Sequence, residues 1–149
     1  MKDWLNFFAG GFGTALISLI ILIFLPDFFS KNTALFLDTF IEEFLKLSVL
    51  FFLFSQQNNT GLKNTVLLAM SFALGFSFFE FILVLLNNSQ MLNYSFLNTT
   101  LIHIFTSLLL GFSAKFYRDV KKLSTIIIFL SLLAFFIHLC YNLTVGSSI

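Results

Sequence analysis

Ionisable and amide side chains interrupt segments of this chain that are otherwise apolar. They are Asp38, Glu42, Glu43 and Lys46 in one segment, Glu80 in the next, His103 and His138 in the two that follow, and Asn142 four residues after His138. An ionisable group inside a membrane costs roughly 2.5–3.5 kcal/mol on insertion scales, so such residues are functional candidates by default. Carboxylates and imidazoles together can transfer protons or hold a divalent metal ion.

Five apolar segments are long enough to cross a membrane as helices. A hydrocarbon core of roughly 30 Å needs about 20 helical residues, and the candidates are 4–25, 34–54, 65–86, 97–117 and 123–145. The 149 residues are 58% hydrophobic and 10% charged, against roughly 25% charged in a soluble domain. We therefore predict an all-α fold, a single multi-pass transmembrane bundle over residues 1–149, whose short connectors leave no room for a soluble domain.

The basic residues predict an orientation. One connector carries Lys115, Arg118, Lys121 and Lys122, and the positive-inside tendency places it in the cytoplasm. Alternation of the spans then puts the N-terminus in the cytoplasm and the C-terminus outside. We expect a prokaryotic cell membrane, with the lipid bilayer as the surroundings and no nucleic acid as a partner.

The depths of the polar residues agree. At 1.5 Å per residue, Glu42 and Glu43 lie about 12–14 Å from the outer ends of their helices, Glu80 and His103 about 9 Å, and His138 about 10 Å. This alignment on antiparallel helices predicts one layer and holds even if the topology is inverted. Lys46 is predicted to lie deeper than the layer, three and four residues after the glutamates, where it can pair with either.

The formal charge of these segments requires compensation. Four acids and one lysine leave a charge of −3 when the histidines are neutral. Protonated carboxylates, charged histidines or a bound divalent metal would each supply it. The residues alone leave these three possibilities open.

Three spaced motifs carry a resemblance to a known family. Glu42 to Lys46 reads EExxK, Phe76 to Glu80 reads FxxxE, and His138 to Asn142 reads HxxxN. Together with His103, this order over about residues 34–145 resembles the PrsW-type intramembrane proteases. They are relatives of the type II CAAX prenyl endopeptidases and bacteriocin-processing (CPBP) proteins, whose CAAX branch would have histidine in place of glutamate in the second motif and arginine in place of lysine in the first.

The resemblance implies hydrolysis of a peptide bond within the membrane. PrsW-like members are associated with cleavage of membrane-bound regulators such as anti-sigma factors. The substrate is then a membrane-embedded or membrane-proximal segment of a protein or peptide. A homo-oligomer or an accessory subunit is also expected, because the chain has few helices outside the motif-bearing ones.

Each motif residue receives a predicted role. Glu42 or Glu43 is the general base on a water held with His103 and His138, directly or through zinc, and Asn142 stabilises the oxyanion. Lys46, Glu80 and Phe76 are predicted to support the site. The predicted metal ligands are Glu43, Glu80, His103 and His138, and a metal-independent mechanism remains an alternative.

Two other functions fit the same residues. One is a noncatalytic scaffold that binds transmembrane peptides, as the gamma-secretase scaffold subunit is thought to do. The other is a proton or cation carrier, because acids and histidines also build proton relays. Against a carrier, the polar residues form a layer rather than a column.

Small residues at helical spacing predict close helix packing. The pairs are Ala9 with Gly13, Gly10 with Thr14, Ser71 with Gly75, and Ser107 with Gly111. Small side chains let helix backbones approach within a membrane.

Overall fold

The chain forms five α-helices in a computed structural model that describes residues 2–24, 30–57, 61–86, 95–120 and 124–146. The helices are α1 (Lys2–Ile23), α2 (Lys31–Ser55), α3 (Leu62–Leu86), α4 (Ser95–Val120) and α5 (Thr125–Gly146). Those ranges contain no strand, so the prediction of an all-α fold is confirmed. The predicted span ends at 25 and 123 lie outside the described residues, as do Lys121 and Lys122.

Four of the helices are long and apolar enough to cross a membrane. They are Asp3–Ile23, Leu62–Leu86, Phe96–Val120 and Thr125–Val145. This confirms a multi-pass helical membrane bundle. The second helix has 25 residues, or about 37 Å at 1.5 Å per residue, but it carries the four charged residues from Asp38 to Lys46. That it crosses the membrane remains a prediction.

Helix α2 is surrounded by other helices. It packs against α1, α4 and α5, while α3 packs between α1 and α4. The buried residues of α2 are Thr39, Glu43, Lys46, Leu50 and Phe54. Their spacing of three and four residues puts them on one stripe of the helix, so the buried charges and the apolar core lie on the same face.

Glycines bring α1 and α3 into backbone contact. A Cβ atom at Gly11 would overlap the carbonyl oxygen of Phe72, and one at Gly75 would overlap the carbonyl oxygen of Phe8. The Ser71 hydroxyl adds a hydrogen bond of 2.7 Å to a backbone carbonyl of α1. We call the Gly11 and Gly75 pair the glycine contact.

The predicted small-residue contacts agree only in part. A Cβ at Gly10 would lie 2.8 Å from Leu53 Cδ1, the end of a flexible side chain that can move aside. A Cβ at Gly111 would lie 2.8 Å from Ala69 Cβ, which cannot, so Gly111 favours close helix packing. No atom of a described residue lies within 4 Å of a Cβ at Gly13. The expectation of close packing there was wrong, because Gly13 faces away from the neighbouring helices.

Candidate active site

Six of the residues predicted from sequence come together in the bundle. We call them the polar cluster: Glu42, Glu43 and Lys46 of α2, Glu80 of α3, His103 of α4 and His138 of α5. Lys46 and the two histidines are at most 2% exposed, and Glu43 is 4% exposed. Four successive helices thus each contribute at least one ionisable side chain to a buried network.

Glu43 joins two other members of the polar cluster. Its Oε1 accepts a hydrogen bond from Lys46 Nζ at 2.7 Å and lies 2.6 Å from His138 Nδ1. Because a carboxylate accepts hydrogen bonds, this contact assigns the ring proton of His138 to Nδ1 and leaves a lone pair on Nε2. A carboxylate that fixes a histidine in this way is common behind metal-binding or proton-accepting imidazoles.

Glu42 is held far less firmly than its neighbour. Its Oε2 lies 3.6 Å from His138 Nε2 and 4.0 Å from Lys46 Nζ, and no residue that the structure describes hydrogen-bonds to that oxygen. Adjacent residues point about 100° apart around a helix. Glu43 therefore meets Nδ1 of the His138 ring, and Glu42 faces Nε2 of the same ring. Glu43 is within hydrogen-bond distance of its nitrogen, whereas Glu42 is not.

His103 is fixed by contacts on three sides. Its Nδ1 lies 2.9 Å from Lys46 Nζ, and its Nε2 lies 2.7 Å from Glu80 Oε2. The Phe76 ring packs 4.8 Å from the His103 ring, centroid to centroid, and lies 4.2 Å from Lys46 Nζ. Phe76 is buried and therefore supports both polar groups. The two histidine rings are 5.0 Å apart.

Lys46 lies at the level of the other cluster residues. The expectation that it is deeper was wrong, because the Cα–Cβ bonds of a helix tilt toward its N-terminus. The long side chain therefore carries Nζ back to Glu43 and His103. Lys46 is fully buried. Its Nζ contacts both Glu43 and His103, whereas a single salt bridge would involve Glu43 alone.

Asn142 reaches the site by way of a threonine. Its Nδ2 donates to Thr39 Oγ1 at 3.0 Å, and Thr39 in turn donates to the Leu35 carbonyl. Thr39 did not stand out in the sequence, although it lies four residues before Glu43 on the same buried stripe. A Thr99 to Tyr141 hydroxyl pair at 2.7 Å was missed as well, because hydroxyl side chains did not stand out from the surrounding sequence.

A cavity of about 250 Å³ adjoins the cluster. Its walls include the side chains of Asp38, Glu42, Glu80, His103, His138 and Asn142. Leu35, Thr99 and Val145 extend it toward the end of the bundle where α2 and α4 begin and α5 ends. We call it the polar cavity, and it gives Glu42 and both histidines a shared space.

The residues present suit a zinc ion. Glu42, His103 and His138 each offer one ligand atom, and these atoms lie within 4.8 Å of one another. Among the described residues no hydrogen bond reaches Glu42 Oε2, Glu80 Oε2 or His103 Nε2, all of which are buried; the last two atoms face each other at 2.7 Å. Two imidazoles with a carboxylate are an ordinary zinc ligand set. The geometry groups Glu42 with the histidines, in place of the predicted Glu43, because Glu43 is bonded to Lys46 and His138.

The His103 proton distinguishes two states of the site. For Nε2 to offer a lone pair to a cation, Nδ1 must carry the ring proton, and Lys46 must then be a neutral amine, because a charged ammonium only donates. With Lys46 as donor instead, the ring proton lies on Nε2 and faces Glu80. The first state suits a metal site, and the second suits a site that works with carboxylates and imidazoles alone.

The comparison with protein families identifies the family of this chain. A family model described as PrsW family intramembrane metalloprotease matches residues 4–149, which is nearly the whole chain and includes every residue of the polar cluster. No curated protein and no solved structure matches the chain significantly. The chain belongs to the PrsW family of intramembrane metalloproteases.

Proposed function

We propose that the polar cluster hydrolyses a peptide bond in a membrane-embedded or membrane-proximal segment of another protein. The observation that carries this proposal is the arrangement around His138. Glu43 holds Nδ1 at 2.6 Å, while Nε2 faces the unbonded Oε2 of Glu42 at 3.6 Å. An oriented imidazole beside an available carboxylate is the combination that water activation requires.

Without a bound metal, Glu42 is the proton acceptor in this proposal. Glu42 lines the polar cavity, and no described residue hydrogen-bonds to its Oε2, so it can take a proton from a water that lies there. Glu43 Oε1 already receives two hydrogen bonds, which makes Glu43 the residue that orients His138 and Lys46.

His103 and His138 would hold a zinc ion through Nε2, with Glu42 or Glu80 as the carboxylate ligand. When bound, zinc supplies Lewis acidity that polarises the scissile carbonyl and the attacking water. Glu80 lies close enough to His103 to ligate or to orient that ring. The carboxylate that does not ligate remains available to accept a proton.

Asn142 is the proposed oxyanion donor. One of its two amide N–H bonds is directed to Thr39, and the side chain lines the polar cavity together with Glu42. A helical substrate hides its carbonyls in hydrogen bonds, so the cleaved segment must be unwound where it meets this donor.

The proposed orientation gives the cavity a source of water. Lys115 and Arg118 lie near the end of α4, and the positive-inside tendency assigns that end to the cytoplasm of a prokaryotic cell. The polar cavity extends toward the opposite end of the bundle and would admit water from outside.

Cleavage is tested in membranes of cells that express the protein as wild type, Glu42→Gln or Asp119→Asn. Asp119 is an exposed acid paired with Lys115 and Arg118 near the other end of α4, so it is a matched acid-to-amide control. New N-termini of membrane proteins are labelled and identified by mass spectrometry. We expect Glu42→Gln to reduce their yield by about 10²–10⁴-fold, the usual contribution of a general base, and Asp119→Asn to leave it unchanged.

Equal yields from wild type and Glu42→Gln would contradict hydrolysis by this site and would favour the scaffold function. For the metal, zinc is measured in the purified wild type, His103→Ala and His138→Ala proteins. About one zinc per chain in the wild type, and loss of it in both variants, is expected for the ligand set. A wild type that cleaves substrates without zinc would instead assign the reaction to the carboxylates and imidazoles alone.

A further inference from the structure

A second cavity lies on the side of α2 that faces α5. Its volume is about 300 Å³. Its walls include Phe36, Phe40 and Phe44 of α2, Leu110 of α4, and Leu132 and Phe135 of α5. Apart from Glu43 and Ser131, the residues that line it are apolar. We call it the apolar cavity.

The apolar cavity reaches the lipid-facing surface between α2 and α5. Phe40 is 50% exposed, Phe44 is 58% exposed and Leu132 is 51% exposed, and in a membrane that surface meets lipid. The Phe135 ring of α5 contacts Phe36 and Phe40 of α2, with ring centroids 5.3 Å and 6.2 Å apart. A hydrophobic segment in the bilayer therefore reaches the cavity sideways, past an aromatic rim.

Glu43 connects the apolar cavity to the polar cluster. It lines the cavity and also fixes the ring of His138, so an occupant would lie directly beside the proposed reaction centre. Glu43 Oε2 is buried and has no hydrogen-bond partner in the part of the chain that the structure describes. A buried acceptor without a donor is unfavourable, so an occupant that brings a donor is favoured.

The chemistry of Glu43 distinguishes a peptide from a lipid. An unwound peptide segment has backbone N–H groups that have lost their helical partners, and one of these can donate to Glu43. A lipid acyl chain has no donor. A cavity of this size is at the small end of ligand pockets, roughly 300–1,000 Å³, which suits one large side chain.

We propose that the apolar cavity is the subsite for a large apolar side chain, such as Leu, Met or Phe, next to the bond that is cleaved. This proposal rests on the proposed protease function and adds a substrate class to it. The substrate approaches from the bilayer between α2 and α5, and water reaches the same bond from the polar cavity.

Ser131 and Ser48 allow a matched test. Each donates to the carbonyl four residues earlier in its own helix, at 2.9 Å for Ser131 and 2.8 Å for Ser48. Only Ser131 lines the apolar cavity, whereas Ser48 is exposed. Ser131→Phe therefore fills the cavity, and Ser48→Phe adds the same ring to the lipid-facing surface.

The cleaved bonds are mapped in membranes that contain the wild type, Ser131→Phe or Ser48→Phe protein. We expect Leu, Met or Phe beside the bonds cleaved by the wild type. Ser131→Phe is expected to reduce cleavage of these bonds at least about tenfold relative to bonds flanked by Ala or Gly, since small changes in an apolar pocket alter selectivity by roughly 10–200-fold. Ser48→Phe is expected to match the wild type.

A second variant tests the opposite change. Phe135→Ala removes the ring that contacts Phe36 and Phe40 and enlarges the cavity, so the cleaved bonds are expected to shift toward flanking Trp and Phe. This variant also decides the question if Ser131→Phe does not fold.

The proposal is overturned if the folded variants cleave the same bonds in the same proportions as the wild type. That is also the result expected if a lipid acyl chain occupies the cavity. Failure of the protease function is recognised separately, because Glu42→Gln would then leave every N-terminus unchanged. If cleavage depends on Glu42 but its selectivity ignores the cavity variants, only the subsite is rejected.

Discussion

The polar cluster and the glycine contact both involve α3, but they hold it by opposite chemistry. In the polar cluster, Glu80 reaches His103 across 2.7 Å between buried charged or polar atoms. At the glycine contact, five residues earlier, Gly75 lets the backbones of α3 and α1 touch with no side chain between them. Phe76 lies between these two regions and packs its ring on His103.

The two regions therefore have different roles: the polar cluster carries the reactive groups, and the glycine contact joins two helices. The glycine contact has no group that could react, and it holds the backbones of α1 and α3 together. The polar cluster has the reactive groups but several buried oxygens without hydrogen bonds, an arrangement that the surrounding packing must support. Changes in the glycine contact should therefore affect stability alone. Changes in the polar cluster should affect stability and reaction together.

The largest stability effect is expected from Lys46→Met. Methionine keeps an unbranched chain of similar length but removes the hydrogen bonds to Glu43 and His103. Removing one partner of a buried ion pair destabilises a protein by about 3–5 kcal/mol, because the other charge remains buried. The free energy of unfolding is measured by titration with SDS in mixed micelles.

A double variant serves as the control for Lys46. Combining Lys46→Met with Glu43→Gln removes the stranded charge, so part of the lost stability should return and the two changes should not be additive. Cleavage should remain low in both proteins. In the double variant His138 loses its carboxylate partner, and in the Lys46→Met variant Glu43 loses its lysine. Additive losses, or a loss below about 1 kcal/mol for Lys46→Met, would show that this pair does not stabilise the cluster.

The sequence was enough to predict the bundle and most of the polar cluster. Charged residues in apolar helices are rare enough to identify individually, and helical rise alone brought Glu42, Glu80 and the two histidines to similar depths. The depth of Lys46 was not predicted, because a count of Cα positions ignores the direction and length of a side chain.

Features that depend on the direction of a residue around its helix were harder to predict. The sequence gives no reason to prefer Gly11 over Gly10 or Gly13, since which glycine meets α3 depends on the rotation of α1. The different environments of Glu42 and Glu43 were also not predicted. Adjacent acids differ in the neighbours that meet them. His138 of α5 lies near both, and Lys46 of the same helix bonds chiefly to Glu43.

The smallest expected effect compares Gly11→Ala with Gly13→Ala. A methyl group at Gly11 overlaps the Phe72 carbonyl oxygen, so α1 and α3 must move apart, whereas a methyl group at Gly13 meets nothing within 4 Å. Overpacking typically costs about 1–3 kcal/mol, and alanine in an unobstructed helix position is favoured by up to about 1 kcal/mol over glycine. SDS titration should therefore show Gly11→Ala destabilised and Gly13→Ala unchanged or slightly stabilised, with zinc content per folded molecule equal in both.

Equal stability of the two variants would mean that the glycine contact does not set the position of α3. Reduced zinc binding in folded Gly11→Ala would mean that the glycine contact also shapes the polar cluster.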